Sequence, residues 1–475
     1  MLRRTVKPFR LVAAAALLLC GGSGTAARTH PPPAPLTIEA AIARALAMDR
    51  QLEYLRLDHT LEEARYRLSI REFLPTIAVA YSGSDSVSYG APDSRSRRLT
   101  LSVQQLVFGG QRRIHSRRLR RTELNIEQLE LLAEAERTTV DVIELFIEFL
   151  GLKQQNRILH ETLELSRQQQ SIAAEEFALG TINELQLLEV DLMSRDLALE
   201  LRQSESEKRQ LRAGLAQLLR LDLAATGEPH GSIDGRFRGH IDSRSIERHR
   251  ARIAAANLDV LRAGHDLALA QEQQRRTRRF RVPDIRLRAD VTSAADRFPL
   301  SEHGYSVGVS FDFAVPFIPT ETTVSAGRQT PAERSRSLSG TLRPGDNIDA
   351  LLDRSAVEIA VRRSRTRHEE ILLKSQTAFD RYAVELEHHR GALEILEARD
   401  EVETRRTEIE RLRLQLGEIT PVAYLEAEVA RARLRIAITH SVVALFRTEV
   451  AILRLSGAGT FEPAYRRLIT TGERR

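Results

Sequence analysis

The chain has 475 residues, 71 of them basic and 65 acidic, with one cysteine and no tryptophan. At 29% charged and 42% apolar it is neither a disordered tail nor a multi-span helical membrane protein. Only 25 glycines and 16 prolines punctuate it, which argues against an all-β fold and leaves room for long unbroken helices.

Residues 1–27 read as an export signal. Arg3, Arg4, Lys7 and Arg10 precede the apolar run 11–19, which is too short to span a bilayer, and small residues at 24–27 suit cleavage. Without those four basic residues the formal charge of +6 falls to +2, so no basic face for nucleic acid is expected. Cys20 is the single thiol. Leu19 stands where lipoprotein processing wants a small residue, so Cys20 is expected to leave with the signal. No disulfide or cysteine–metal site is then available, and the compartment is the periplasm or beyond.

Helical pattern runs from about 37 to 73, followed by two candidate strands at 76–89 and 98–108. The next helix spans about 110–179 without a proline. Val142, Leu145, Phe149, Leu152, Asn156, Leu159 and Leu163 follow a 3-4 spacing along it, a coiled-coil seam with one polar interruption. Such a helix is about 100 Å long. Gly180 ends it, and a second helix runs from about 183 to 219.

The second half repeats the plan. Helix at about 245–279 leads to candidate strands at 284–294 and 305–317, then to a Ser-, Thr-, Arg-, Gly- and Pro-rich insertion at 318–352. A second long helix ends before Gly417. A last helix opens at Pro421 with the seam Val422, Leu425, Val429, Ala432, Ile436, Thr439, Val443, Phe446 and Val450, whose mixture of small and large side chains suits more than one packing neighbour. Leu179-Gly180-Thr181-Ile182 matches Leu416-Gly417-Glu418-Ile419, and Gln51-Leu52-Glu53-Tyr54-Leu55-Arg56 matches Asn257-Leu258-Asp259-Val260-Leu261-Arg262. The expected organisation is a signal at 1–27, a first helix–strand–strand–helix–helix repeat at 28–242 with its tip at 180, a second at 243–457 with its tip at 417, and a tail at 458–475. In each half two short helices stacked end to end equal one long helix, so four helix-equivalents would form a section of a tube. The helices alone suit a soluble antiparallel bundle equally well.

The strands separate these readings. Tyr305, Val307, Val309, Phe311, Phe313 and Val315 alternate with small or polar residues; so do Ile285, Leu287, Ala289 and Val291, and so do Leu99, Leu101 and Val103. One apolar face over roughly ten residues is the transmembrane β pattern, although a half-buried soluble sheet alternates in the same way. No amphipathic helix is left over to cover that face. Four strands cannot close a barrel in lipid. Three copies give twelve, and the helices close a tube by the same symmetry.

This pattern resembles the TolC family of outer-membrane efflux channels over about residues 37–457. The resemblance rests on Leu36-Thr37-Ile38-Glu39-Ala40-Ala41, on Phe73-Leu74-Pro75 before the first strand, on Val107-Phe108-Gly109-Gly110 after the second, and on the tip segments Phe177-Ala178-Leu179-Gly180 and Leu414-Gln415-Leu416-Gly417. It implies a mainly α fold with a small transmembrane β part: a homotrimer with a twelve-stranded β-barrel in outer-membrane lipid, continued by a long α-helical barrel through the periplasm. It implies a passive duct serving an inner-membrane transporter through a periplasmic adaptor protein. A periplasmic coiled-coil spacer or adaptor without a pore, and a type I protein-secretion conduit, are the alternatives. The exit after the fourth strand departs from the family, since Val315-Pro316-Phe317 runs into the insertion rather than a tight glycine turn. By count from the tip glycine, the acidic pair of the family's gate falls on Ala423 and Glu426, and its arginine on Ile419, so that ion-pair chemistry is not carried over.

Candidate sites follow. Glu189, Glu426 and Glu418 are candidates for the periplasmic gate, where a ring of carboxylates would attract cations. Leu179, Gly180, Thr181, Leu416, Gly417 and Glu418 form the tips expected to dock an adaptor. Thr100, Ser102, Arg286, Arg288 and Asp290 are expected to line the barrel lumen. The cluster Arg112, Arg113, Arg117, Arg118, Arg120 and Arg121 suits either lipid headgroups or a solvated face. No catalytic motif, metal spacing or cofactor loop is present, and neither enzyme activity nor a cofactor is expected.

Overall fold

The computed structural model describes residues 36–470 except 88, 91–93, 110–111, 222–227, 278–282, 314, 316, 331–332 and 347. The expected signal at 1–27, with Cys20, lies outside the described residues, as do Gly110 and Pro316.

Helices α1 (Ile38–Met48) and α2 (Arg50–Leu68), and a 3-10 turn at Ser69–Phe73, lead to strands β1 (Thr76–Ser86) and β2 (Ser94–Gly109). The long helix α3 (Arg112–Ala178) and α4 (Glu184–Leu219) form the first hairpin. A short strand β3 (Ser232–Ile233) precedes α5 (Ser243–Ala256) and α6 (Leu258–Thr277). Strands β4 (Asp284–Ala295), β5 (Glu302–Phe313), β6 (Thr320–Thr330) and β7 (Glu333–Leu342) come next. The second hairpin is α7 (Asp349–Gln415) with α8 (Pro421–Leu455), followed by α9 (Glu462–Leu468) and β8 (Ile469–Thr470).

Both long helices have 67 residues, about 100 Å each. Their layer has a simple order. Both α2 and α4 pack on α3, and both α6 and α8 lie between α3 and α7. The stacked short helices thus act as two further long ones, as the lengths suggest. The seam residues face inward: Val142 and Phe149 are fully buried, and Leu159 and Leu163 nearly so. Asn156, the polar interruption, accepts a hydrogen bond from the buried Ser204 hydroxyl of α4. Helix α8 is apolar enough to cross a bilayer by length and composition. Instead its stripe is shared among α3, α7 and α4.

Two corrections concern the short helices. The single helix expected at 37–73 breaks at Asp49, and the one at 245–279 breaks at Asn257. Asp49 caps α2 by accepting from the Gln51 and Leu52 backbone N–H groups, and also accepts from the Thr138 hydroxyl of α3. Asn257 accepts from the Val260 N–H and donates its amide to the Leu455 carbonyl at the end of α8. Each break is therefore pinned to a neighbouring helix. The two caps make Asp49 the counterpart of Asn257, and buried Leu52 the counterpart of buried Val260. The structural repeat is thus two residues out of step with the match between Gln51 and Asn257.

The third correction is the insertion. Residues expected at 318–352 as a loop build a β-hairpin, so one sheet holds six strands in the order β1-β2-β4-β5-β6-β7, all antiparallel, rather than four. The period-2 signal there is weak because the alternate residues are mostly Ser, Thr, Gly and Arg.

Around the middle of the bundle, α1, α5, α9 and the β3–β8 pair wrap the main core of Phe146, Phe149, Phe379, Phe446 and their neighbours. One buried charge anchors this belt. Glu449 of α8 is fully buried and accepts from the backbone N–H groups of His240 and, at 2.7 Å, Ile241. Arg390 of α7 donates to the carbonyls of Arg238 and Ile241. Burial raises the Glu449 carboxyl above its ordinary range despite those backbone donors. Burial also raises Glu136 of α3 to about 7.

Both tips close in the same way. In the first, the Thr181 N–H reaches the Glu176 carbonyl and the Gly180 N–H reaches Phe177. In the second, Glu418 reaches Arg413 and Gly417 reaches Leu414. This is the Schellman pattern, with Gly180 at φ +74° and Gly417 at φ +73°. Asn183, in a capping box with Gln186, and Thr420, before Pro421, then start the return helices.

Three outcomes follow. Glu449→Ala leaves two buried donors without an acceptor and lowers stability by about 2–4 kcal/mol, while Glu449→Gln, which keeps an acceptor oxygen, loses less; thermal unfolding in detergent compares them. Gly417→Val forces a β-branched residue into the left-handed region, at a cost of about 1–2 kcal/mol, and speeds amide exchange at that tip alone. Glu136 carries a folded pKa above its unfolded value, so its contribution is complete below the ordinary carboxylate range and lost as pH rises through about 7. Glu136→Gln therefore flattens the fall in melting temperature between pH 5.5 and 8.

Candidate functional site

The sheet stands beyond the upper end of the helix layer, with a polar and an apolar face. The register puts Ser102 opposite Asp290, Thr100 opposite Thr292 and Arg288 opposite Gly308. The five expected lumen residues Thr100, Ser102, Arg286, Arg288 and Asp290 thus share one face. Asp290 takes both ends of its carboxylate to Arg288 Nε at 2.9 Å and accepts from the Ser306 hydroxyl at 3.4 Å. Arg286 lies 3.6 Å from Asp312 and 3.9 Å from Asp284. Ser306, Asp312 and Asp284 belong to this charged ladder and were not singled out from sequence. They come from strand positions whose polarity was legible but whose neighbours depend on register.

The opposite face carries Ile77, Val79, Tyr81, Leu101, Val291, Tyr305 and Val307. These are exposed: Val79 is 68% exposed and Tyr305 59%. Among the described residues no helix lies over them. The polar alternates Thr100, Ser102, Asp290 and Ser306 are the more sheltered side. A soluble half-buried sheet shows the reverse.

Aromatic rings mark both ends of the apolar face. Tyr81 stacks with Phe298, their centroids 6.2 Å apart, at the end where the β4–β5 turn lies, and Tyr305 is close by in register. Phe108, Phe311 and Phe313 stand at the helix-side end. Tyr305 and Phe313 are eight residues apart on one strand, about 27 Å. Sequence reading missed this pairing of girdles, although Tyr305 and Phe313 on one alternating run were there to find.

Below the sheet, the arginine cluster has specific partners. Arg113 lies over the Phe73 ring at 5.8 Å and Arg117 over the Tyr66 ring at 5.5 Å. Arg118 is 4.0 Å from Glu272, which also meets Arg275 and the buried His115. Arg113, Arg117 and Arg118 of the cluster are thus tied to the helix-to-strand junction.

At the far end, the tip residues Leu179, Gly180, Thr181, Leu416, Gly417 and Glu418 are all exposed, Leu179 by 79% and Leu416 by 73%. Glu418 pairs with Arg413 at 3.7 Å across the second turn. Glu189 and Glu426 are exposed near the two tips, each beside a buried residue of the lower core, Val190 and Leu425. Tyr424 donates to Glu428 at 3.1 Å, and burial together with that carboxylate raises its pKa to about 12. The repeat mate of Glu428, Asp191, accepts from Gln170 at 2.8 Å. Near the tips Asp191, Glu418 and Glu428 are thus held by neighbouring side chains, while Glu189 and Glu426 are exposed and show no side-chain hydrogen bond or ion pair among the described residues.

The helix layer ends on two open edges, and both carry apolar seams. Along α2 the exposed residues are Tyr54, Leu57, Leu61 and Leu68, and along α4 Leu185, Leu188, Leu192 and Leu199. Toward the tip end of α7, exposed Ile395, Val402 and Ile409 lie seven apart and lead to Leu416 at its C-cap, with Leu412 between; further up, Leu352, Ile359, Leu373 and Val384 are exposed as well. Heptad spacing on an uncovered face is the seam of a coiled coil that lacks its partner.

Comparison with known proteins gives a consistent picture. Residues 41–221 match the family model described as outer membrane efflux protein. No curated protein matches the chain in sequence. Among solved structures the fold is similar to the outer membrane protein VceC of Vibrio cholerae (TM-score 0.69, 14% identity, 88% of this chain and 96% of that one). It is also similar to the MtrE outer membrane channel of Neisseria gonorrhoeae (0.69, 14%, 89% and 88%) and to the CmeC outer membrane channel of Campylobacter jejuni (0.68, 13%, 89% and 86%). The family model thus matches the first repeat, where the TolC-like motifs begin, and the shared fold carries through the second.

Proposed function

We propose that this chain is the outer-membrane channel of a tripartite export system: a homotrimer, embedded in outer-membrane lipid and reaching into the periplasm, through which substrates delivered by an inner-membrane transporter leave passively. A periplasmic adaptor joins the two by docking on the tips around Gly180 and Gly417. The single observation that carries this reading is the uncovered apolar face of the sheet, bounded by aromatic rings at both ends. Water cannot cover that face without a large cost, and lipid covers it at none. The band between the rings matches the roughly 25 Å apolar belt of outer-membrane barrels.

The helix edges supply the oligomer. An α2–α4 edge with an apolar heptad seam meets an α7 edge with another, and repetition of that contact around an axis closes a ring. The charged ladder of Arg286, Arg288, Asp290 and Asp312 faces the lumen of the barrel. Near the tips, Glu189 and Glu426 line the periplasmic entrance. With Ala423 and Ile419 at the other two positions of the family's gate, the entrance has no arginine–carboxylate lock and acts as a cation-attracting ring alone.

The test is direct. The protein is extracted from outer membranes only by detergent, has the mass of three chains, and gives stepwise conductance in planar bilayers. A monomer that stays in solution without detergent overturns the reading. Leu188→Glu with Ile409→Glu places like charges on both seams and abolishes the trimer on semi-native gels. Glu189→Gln with Glu426→Gln leaves the trimer intact and lowers cation-over-anion selectivity, read as a shift of reversal potential in a salt gradient.

A further inference from the structure

The sheet has two more strands than the lipid-facing part of such a trimer needs, and they occupy one of its open edges. Strand β6 continues the ladder from β5 without a break, from Tyr305 opposite Arg328 to Phe313 opposite Thr320, and β7 follows from Thr320 opposite Leu342. The hairpin therefore belongs to the same sheet. Its alternation keeps phase with the other strands. Val324 lies beside Val309 and Leu338 beside Val324 on the apolar face, while Ser325 and Ser337 share a 2.7 Å contact on the polar face. Leu338 is 76% exposed and Leu342 56%. Gly308 and Gly327 lie at the β5–β6 seam on the polar face, where an added Cβ at Gly327 would come within 2.4 Å of the Tyr305 carbonyl oxygen. The two strands approach closely there, as a sheet that curls toward its polar side requires.

We infer that β6 and β7 are part of the barrel wall, and that β7 of one protomer pairs with β1 of the next, so that three six-stranded sheets close into a barrel of eighteen strands. This rests on the trimeric channel reading. Three observations point to it. First, β1 and β7 are the free edges of the sheet, with 11 and 10 residues and no proline in either; neither can stay unpaired in hydrocarbon. Second, the strands alternate in direction, so β7 runs opposite to β1, and a meander that gains one hairpin closes antiparallel as well as before. Third, the edges of the two layers coincide. Strand β1 follows α2, on the open α2–α4 edge, and β7 leads through a short turn into α7, the other open edge. That turn is tied back by the Gly345 N–H on the Phe317 carbonyl. Wherever α7 meets the neighbouring α2, the strand above it is β7, not β5. Closure through β5 would leave the hairpin outside the wall, with Val324 and Leu338 lifted from the sheet they continue.

The outward charges fit. Arg328 and Arg334 are paired at the same level as Tyr305, the outer aromatic ring, and Arg336 is one rung below, opposite Ala326. Arginine stems reach the headgroups from there at little cost. The hairpin gives the lumen a serine- and threonine-rich wall, and the barrel is about half again as wide as one of twelve strands. The outer mouth is then a wide aqueous opening, and the helical tube alone limits what passes.

Inter-subunit disulfides test this. Ala80→Cys on the inner face of β1 is combined in turn with Ser335→Cys, Ser337→Cys and Ser339→Cys of β7, and separately with Ser306→Cys and Ser310→Cys of β5. The single variants serve as controls for Cys20. Oxidation in membranes is expected to link most of the trimer through at least one β7 position and through neither β5 position. Linkage through β5, or linkage through neither strand in an otherwise intact detergent-extracted trimer, overturns the inference while the channel reading stands. A water-soluble monomer overturns the channel reading itself. Electron microscopy of the trimer gives an independent count, with eighteen strands expected in the barrel wall and twelve overturning the inference.

Discussion

Hydrocarbon offers no partner for a backbone N–H or C=O, and most of this architecture answers to that constraint. The chain carries a strongly alternating sheet whose apolar side is bare and whose two outer strands have unused ladders. In water such a sheet would aggregate through both face and edges. In lipid the face is satisfied at once, but the edges are not, and only a second copy can complete them. In the proposed channel the requirement to oligomerise is therefore set by backbone hydrogen bonding in the membrane, not by the helices.

The helices make the same assembly rigid. Each half of the duplicated chain supplies one unbroken helix and one built from two pieces, with the pieces held by caps at Asp49 and Asn257 that also reach across to a neighbouring helix. The result is a layer of four long helices with no closed core at its rims. Interior positions such as Phe146, Phe379 and Phe446 are fully buried, while the α2, α4 and α7 rims repeat apolar residues at heptad intervals in the open. A belt anchored by Glu449 and Arg390 braces the layer at mid-height. Tip, belt and sheet are thus three stations along one rod, and the order of the rod's helices fixes which strand stands at which rim.

The chemistry of the conduit is electrostatic and steric throughout. On the sheet, alternating arginines and aspartates neutralise one another on the sheltered face, so the ladder adds polarity without a large net field. In the proposed entrance, Glu189 and Glu426 stand exposed and Ile419 occupies the position of the family's gate arginine.

Much of the fold was legible in the residues because the signals were local and periodic. The 3-4 seams from Val142 to Leu163 and from Val422 to Val450, the glycines at 180 and 417, and the strict alternation in 305–313 each reflect a single element's own geometry. The shared face of Thr100, Ser102, Arg286, Arg288 and Asp290 could be read for the same reason, since side chains two apart on a strand share a face. What needed the tertiary structure was everything set by a partner far along the chain. The breaks at Asp49 and Asn257 depend on Thr138 and Leu455; the ladder partners Ser306 and Asp312 depend on register; the ties of Asp191 and Glu428 depend on neighbouring side chains. The insertion is the clearest case. Its serines, threonines and arginines carry too little alternation to announce a strand, and only the open edge of β5, with its unused hydrogen bonds, makes β6 and β7 what they are.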